Sequence, residues 1–133
     1  MKIEVFGTKT TVRTRLRRLI KRILKEEHRG NRSLNLIFVD NRYQQRLNRK
    51  FLKKNRPTNV LAFPGEADFL GEIYVSREFA KKEAAACRID LKTEIDRLVI
   101  HGLLHLLGYT HSAMKKREEY YLARSLTLKT KKL

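Results

Sequence analysis

The chain has 133 residues, the size of one ordinary domain, and 31 Lys and Arg against 14 Asp and Glu give it a net charge of +17. A single cysteine excludes a scaffold of internal disulfides, and no apolar run approaches the roughly 18 residues of a membrane span. The N-terminus lacks the long apolar segment of a signal peptide, so we expect a cytoplasmic protein without membrane contact.

The positive charge is unevenly distributed along the chain. Residues 1–60 contain 18 basic and 4 acidic side chains, a net of +14, whereas residues 61–133 contain 13 and 10, a net of +3. A basic surface of this kind attracts polyanions, chiefly by releasing counterions from phosphate backbones. The alternative is a charged surface that serves solubility or thermal stability, but neither requires a one-sided sign. The distribution therefore favours a nucleic acid partner.

A strand and a basic amphipathic helix come first. The alternation in MKIEVF (1–6) predicts a strand, and apolar residues at helical spacing between Thr11 and Glu27 predict a helix with one stripe towards the core. Its opposite face is either solvated or in contact with phosphates; a helix lying on a membrane is less favoured, because a strand follows directly. The basic residues of that face are Arg13, Arg15, Arg17, Arg18, Lys21, Arg22 and Lys25.

The next elements are a strand, a helix and an edge strand. LNLIFVD (34–40) predicts a β-branched and aromatic strand, and Asp40 is placed to cap a helix over 41–52. Residues 59–63 predict a short strand that lies at a sheet edge or ends at the proline, because the flanking prolines cannot donate ladder hydrogen bonds. Three residues of the helix have near-helical spacing: Tyr43, Leu47 and Phe51.

The second half of the chain predicts one more strand and three helices. The expected elements are a strand over 69–76, helices over 77–87, 91–107 and about 113–126, and a frayed tail over 129–133. The helix Leu91–Leu107 is apolar nearly all round, which is typical of a buried helix. We therefore predict one α+β domain over 1–133, in which a mixed sheet of about four strands packs against several helices, with a buried central histidine-bearing helix.

Three of the four histidines lie within HGLLHLLGYTH (101–111). His101 and His105 are four residues apart, about 40° around a helix axis, so both rings project to one side. Gly108 can adopt the left-handed conformation that ends a helix, which lets the chain bring His111 back to the same point. Three imidazoles suit one Zn²⁺ ion and leave a fourth position for water, although other first-row divalent ions also bind imidazole.

Two other interpretations of this segment are less favoured. A single histidine in an apolar helix is most often a satisfied core residue, but three on one face would each need a separate partner. The spacing is also that of metzincin proteases, in which a glutamate general base follows the first histidine. Gly102 stands there instead and disfavours a peptidase. His28 is predicted to be a surface residue, and Cys87 a small buried core residue rather than a fourth ligand.

RPTNVLAFP (56–64), GEI (71–73) and HGLLHLLGYTH together resemble the YbeY family of metal-dependent endoribonucleases. The resemblance extends over most of the chain. It implies an α+β fold with a zinc-like ion on His101, His105 and His111. It also implies a function at the ribosome, in late small-subunit assembly and in processing of the 3′ end of small-subunit rRNA. The sequence departs from the family pattern at Thr110, where the family usually has Asp, and at Leu52, where it usually has Arg.

The expected activity is endonucleolytic cleavage of single-stranded RNA. The ion would activate water or polarise a phosphoryl oxygen, with the RNA 2′-hydroxyl as an alternative nucleophile. The phosphodiester would lie along the edge of strand 59–63. No proton acceptor stands out: Glu72 is the weak catalytic candidate, and Glu66 and Asp68 are further ones. Basic residues that would hold neighbouring phosphates, unless they simply form a solvated helix face, are Arg46, Arg49, Lys50, Lys53, Lys54 and Arg56.

The alternative function is a non-catalytic assembly factor. In that case zinc would stabilise the core and the basic face would bind rRNA of the small ribosomal subunit. The departures at Leu52 and Thr110 favour this alternative more than the usual family pattern would. No small-molecule cofactor is expected in either case, and the oligomeric state is left open.

Overall fold

A computed structural model describes residues 2–52 and 59–131, with side chains throughout these ranges except at His111 and residues 126–131. Five helices and four strands occur in these ranges, and each predicted element is present. In chain order they are β1 (Ile3–Phe6), α1 (Thr10–Glu26), β2 (Ser33–Val39), α2 (Asn41–Leu52), β3 (Val60–Pro64), β4 (Phe69–Ser76), α3 (Arg77–Cys87), α4 (Leu91–Leu106) and α5 (His111–Lys131).

The four strands form one mixed sheet in the order β1-β2-β4-β3. β1 pairs with β2, and β2 with β4, in parallel, whereas β3 pairs with β4 antiparallel and lies at the edge. The predicted α+β architecture and the edge position of the proline-flanked strand are therefore confirmed. The hairpin between β3 and β4 turns at Gly65–Asp68, where Phe69 N donates to Glu66 O at 3.0 Å.

One face of the sheet carries the hydrophobic core. Alternate strand residues such as Val5, Leu36 and Ile73 are in register across the sheet and are buried against helices. α1, α3, α4 and α5 all contribute residues to this core, and α4 lies at its centre with Leu98, Val99, Ile100, Leu103 and Leu104 buried. The prediction of a buried helix bearing the histidines is confirmed.

α2 packs on the opposite face of the sheet. Asp40 Oδ1 accepts a hydrogen bond from Tyr43 N at 2.8 Å, which confirms the predicted cap. The helix buries the amides of Gln44 and Asn48 rather than its aromatic residues. Gln44 Nε2 donates to Tyr74 O at 3.0 Å and thereby ties α2 to β4.

Gly102 brings α4 close to the sheet. A Cβ atom at this position would lie 2.8 Å from Ile73 Cγ2 and 3.3 Å from Val60 Cγ2, so a larger residue fits only if these side chains of β3 and β4 shift. The residue that a metzincin uses as its base would therefore point into the packed sheet here. Gly102 therefore allows α4 to pack closely on the sheet. This role agrees with the prediction from the sequence that a glycine at this position disfavours a peptidase.

Two expectations are corrected by the structure. Cys87 is exposed at the end of α3 instead of buried, because the residues of α3 that face the core are Ala80 and Ala84. The last helix begins two residues earlier than predicted, at His111, and extends to Lys131, so it includes part of the tail expected to fray. Among the residues that the structure describes, no helix is long and apolar enough to cross a membrane.

The basic face of α1 is partly committed to internal contacts. Arg15 forms an ion pair with Asp96 of α4, and Arg17 Nε donates to Ile3 O at 3.0 Å. These two arginines therefore hold the fold together and are not available for phosphates. Arg18 and Lys21 remain exposed.

Candidate metal centre and its surroundings

Two imidazole rings stand side by side on α4, as their four-residue spacing predicts. The ring centres of His101 and His105 are 5.0 Å apart and their planes are inclined by 74°. His105 is exposed, whereas His101 is partly covered by α5. Two nitrogens bound to one zinc ion are at most about 4.2 Å apart, and rings at this separation can meet that limit.

Gly108 ends the histidine helix in the predicted manner. It has φ +88°, and its N–H donates to His105 O at 3.0 Å while Tyr109 N donates to Leu104 O at 3.1 Å. This pair of bonds is a Schellman motif, which satisfies the last carbonyls and reverses the chain. α5 then begins at His111, whose side chain lies outside the described residues, so its relation to the two rings stays a prediction.

A carboxylate from α5 contacts the first histidine. Glu118 Oε2 lies 3.0 Å from His101 Nδ1, where the ring N–H donates to the carboxylate. This contact fixes the orientation of the ring and leaves Nε2 as the ring nitrogen for a metal ion. The sequence interpretation missed Glu118. The signal was present, since positions 111 and 118 are seven residues, about two helical turns, apart and share a helix face.

Arg97 links this carboxylate to the centre of the fold. Its guanidinium donates to both carboxylate oxygens of the buried Glu94, at 2.8 and 2.7 Å, and its Nη1 lies 3.6 Å from Glu118 Oε1. The hydrogen bond to Glu94 raises the pKa of Arg97 above its ordinary value. The guanidinium of Arg97 beside Glu118 helps to hold that carboxylate in place against His101.

One stripe of α5 makes all of these contacts with α4. Met114 and Tyr121 enter the core, Glu118 meets His101, and Ser125 Oγ donates to Asp96 Oδ2 at 3.0 Å. Their spacing of three to four residues is that of one helix face. Position 111 continues the same series in the N-terminal direction, which supports the prediction that His111 belongs to this interface.

Glu27, at the end of α1, anchors the turn that precedes His111. Its carboxylate accepts hydrogen bonds from the phenols of Tyr109 and Tyr121, and Arg117 Nη1 lies 3.8 Å from it. The bond to Glu27 raises the pKa of Tyr109, whereas burial and then the same carboxylate raise the pKa of Tyr121. Both phenols therefore remain donors at neutral pH and hold the chain between α4 and α5.

Thr110 occupies the residue before α5, where its carbonyl accepts from Met114 N at 2.8 Å. Aspartate and threonine both suit a position before a helix, so the departure from the family pattern preserves that role. The negative charge that aspartate would bring is absent at 110. In this chain the carboxylate of Glu118 contacts His101.

The acidic candidates from the sequence are not brought to the histidine pair. Glu72 lies on the sheet face opposite α4, because its neighbour Ile73 is the residue that contacts Gly102. Glu66 and Asp68 are exposed in the β3–β4 turn. Apart from the side chain of His111, no group of three or more His, Cys, Asp or Glu side chains in residues 2–52 and 59–131 is arranged to hold a metal ion.

Half of the predicted RNA-binding residues can be placed. Arg46, Arg49 and Lys50 are exposed along α2, and Leu52 is exposed at its end. The other three predicted contacts, Lys53, Lys54 and Arg56, lie outside the described residues. His28, predicted to be a surface residue, is exposed and has φ +59° at the end of α1.

The chain is similar to known proteins over nearly its whole length. The sequence profile of the family described as Endoribonuclease YbeY matches residues 2–129. A protein of that name from Syntrophus aciditrophicus is 35% identical over 120 residues, which cover 78% of this chain and 75% of the relative. Another, from Sulfurovum, is 38% identical over 117 residues, 74% of this chain and 80% of the relative. The solution structure of a Thermotoga maritima protein matches with a TM-score of 0.76 at 28% identity, covering 98% of this chain and 93% of that one.

Proposed function

Because the chain belongs to the Endoribonuclease YbeY family, we propose that it is a metal-dependent endoribonuclease that processes small-subunit rRNA in the cytoplasm. The observation that carries the metal dependence is the geometry of α4, where His101, oriented by Glu118, stands beside His105. A carboxylate that accepts from the second ring nitrogen is the usual support of a metal-bound histidine.

The proposed ligands are His101, His105 and His111, and the proposed ion is zinc. Neutral imidazoles suit zinc and other first-row divalent ions, and a three-histidine set leaves one position open for chemistry. The Schellman turn at Gly108 and the contact stripe of α5 support the inclusion of His111. A bound ion would supply polarisation of a phosphoryl oxygen and a water of lowered pKa.

The residues of the chain itself would position the substrate. Glu118 and Arg97 hold the His101 ring and act through it, so they are positioning residues. Glu72 is separated from the pair by the sheet and is not proposed as the proton acceptor. The RNA strand would lie along the exposed edge of β3, since Val60 of that strand packs beside Gly102 and α2 presents its basic residues on the other side.

The decisive experiment measures metal content and cleavage together. Protein purified without chelator should contain about one zinc ion per chain by elemental analysis and should cut a structured rRNA fragment. His105→Ala should lose both properties. His28→Ala, which removes an exposed histidine far along the sequence from the site, should retain both.

Two results would overturn parts of the proposal. Equal cleavage by wild type and His105→Ala would mean that the histidine centre does not cut RNA. Zinc and rRNA binding without any cleavage would favour the assembly factor that needs no catalysis. The packing of Gly102 against Ile73 and Val60 gives no reason to expect peptide hydrolysis.

A further inference from the structure

A row of four aromatic rings lies between α2 and the β3–β4 hairpin, on the sheet face opposite the core. The ring centres of Tyr43 and Tyr74 are 6.2 Å apart in a stacked arrangement. Phe63 meets Tyr74 edge to face at 5.8 Å, and Phe51 meets Phe63 in the same manner at 5.2 Å. Tyr43, Tyr74, Phe63 and Phe51, in that order, are named the aromatic row below.

The two ends of the aromatic row are exposed, although other side chains of the same helix are buried against the sheet. Tyr43 is 40% exposed and Phe51 55%, while Gln44 and Asn48 of the same helix are almost fully buried. Burial of an aromatic ring is favourable, whereas burial of an amide is costly unless every polar atom is satisfied. α2 is turned so that Gln44 Nε2 fixes it to the sheet, although Gln44 Oε1 has no hydrogen-bond partner among the described residues. The rings of Tyr43 and Phe51 face outward in spite of that cost.

The surface around the row is positively charged. α2 contains four basic residues and no acidic one. Arg46 Cζ lies 5.4 Å from the ring centre of Tyr43, and Lys50 Nζ lies 5.3 Å from that of Phe51. Each exposed ring thus has a cation over it, in a cation–π contact. Glu72 stands next to Tyr74 on the strand side, so an anionic partner is favoured along α2 and not across β4.

We propose that the aromatic row binds single-stranded RNA by stacking unpaired bases on Tyr43 and Phe51, with Arg46 and Lys50 at the adjacent phosphates. Rings flanked by cations are the arrangement that binds unpaired strands, because every base has a face to stack and every nucleotide a phosphate. The two rings are eight residues apart, about 12 Å along the helix. Bases at that separation are not stacked on each other, so the strand must be unpaired and extended.

The proposal rests on the proposed function and gives it a surface for substrate recognition. β3 connects the two sites, because Val60 packs beside Gly102 of the histidine helix and Phe63, three residues later, belongs to the row. A strand held on the row and crossing the exposed edge of β3 would reach the histidine pair. The row would then select unpaired segments for cleavage.

The test compares two polyanions that differ only in their bases. Binding of a labelled 12-nucleotide RNA and of an abasic phosphodiester chain of equal length is measured by fluorescence anisotropy in chelator, so that cleavage does not interfere. Wild type should bind the RNA more tightly than the abasic chain. The double variant Tyr43→Leu/Phe51→Leu should weaken RNA binding by about 5- to 150-fold per lost base contact and leave abasic binding unchanged.

The controls separate stacking from charge and from folding. Phe6→Leu alters another exposed aromatic residue, 46% exposed on β1, and should bind both ligands as wild type does. Arg46→Gln should weaken both ligands alike. The inference is wrong if the double variant binds RNA as wild type does, or if it loses RNA and abasic chain equally while its thermal unfolding is unchanged.

A cleavage assay distinguishes failure of the stacking surface from failure of the proposed nuclease function. Wild type and the double variant are also given the structured rRNA fragment with zinc. Cleavage by wild type together with undiminished RNA binding by the double variant would overturn the stacking surface alone. Base-dependent binding through the row without cleavage would retain the surface and overturn the nuclease.

Discussion

At the scale of single residues, Glu118 and Glu27 shape the histidine site although neither belongs to the histidine motif. Glu118 holds the ring of His101, and Glu27 holds the two phenols that fix the turn before His111. Each acts at a distance of many residues along the chain. The arrangement around the histidines therefore depends on two carboxylates outside the motif. Of these, only Glu118 is connected with it by a local pattern, the seven-residue spacing from His111.

Replacement of Glu118 tests its positioning role. Glu118→Gln should lower the affinity for zinc by about 10- to 100-fold, because the amide is a weaker acceptor for His101 Nδ1–H and makes the ring less basic. The measurement is a competition titration with a chelating dye. Glu119→Gln makes the same charge change at an exposed neighbour and should bind zinc as wild type does. Equal affinity of both variants would contradict the role.

The phenol of Tyr74 provides a prediction about pH. Burial, and then the charge of Glu72, raise the pKa of Tyr74 to about 12. A phenol whose pKa is higher in the folded state stabilises the fold below its unfolded pKa of about 10 and loses that contribution as pH rises to about 12. The free energy of unfolding of wild type minus that of Tyr74→Phe should therefore fall between pH 10 and 12. Urea titrations at several pH values measure it, and a constant difference would contradict the assignment.

At the scale of elements, three helices meet at one buried carboxylate. Asp96 of α4 is fully buried, pairs with Arg15 of α1 and accepts from Ser125 of α5. α4 and α5 carry the histidines, so this junction also sets their relative position. A charge buried in this way is tolerated because it is paired and hydrogen-bonded.

Loss of this junction should be costly. Asp96→Ala leaves Arg15 and the hydroxyl of Ser125 without their acceptor and should lower the free energy of unfolding by about 1–3 kcal/mol, measured by urea denaturation. Asp68→Ala removes an exposed carboxylate from the β3–β4 turn and should change stability by no more than about 0.5 kcal/mol. A similarly small effect of both substitutions would show that Asp96 does not join the helices.

At the scale of the whole molecule, the excess positive charge is divided between the two faces of the sheet. α1 lies on the core face and uses Arg15 and Arg17 for internal contacts, whereas α2 lies on the other face with its basic residues exposed. The net charge of +17 is therefore a poor measure of the surface that meets a polyanion. The location of the exposed cations, beside the aromatic row, is the more informative property.

Salt dependence should distinguish the two basic faces. If about 6 phosphates are contacted, the logarithm of the RNA association constant should fall with the logarithm of salt concentration at a slope of about −4 to −5. Arg49→Gln/Lys50→Gln on α2 should make that slope shallower by about 1.4. The matched pair Arg18→Gln/Lys21→Gln on α1 should leave it unchanged. The reverse result would place the RNA on α1.

The sequence by itself determined the local features of this protein. Hydrophobic periodicity, prolines and caps located the helices and strands, since these signals act within a few residues. The spacing of His101 and His105 and the glycine bend at Gly108 followed from helix geometry in the same way. The motifs around them also identified the family, because the residues of these motifs are close together in the sequence and can be recognised without the fold.

Tertiary structure decided which distant residues meet. It turned α2 so that Tyr43 and Phe51 face outward, brought Glu118 to His101, and placed Glu72 on the far side of the sheet. It also placed Arg15 in an internal ion pair and Arg17 in a hydrogen bond to β1. Periodicity gives the face of an element but not the partner that covers it, and that partner is set by packing among elements far apart in the chain.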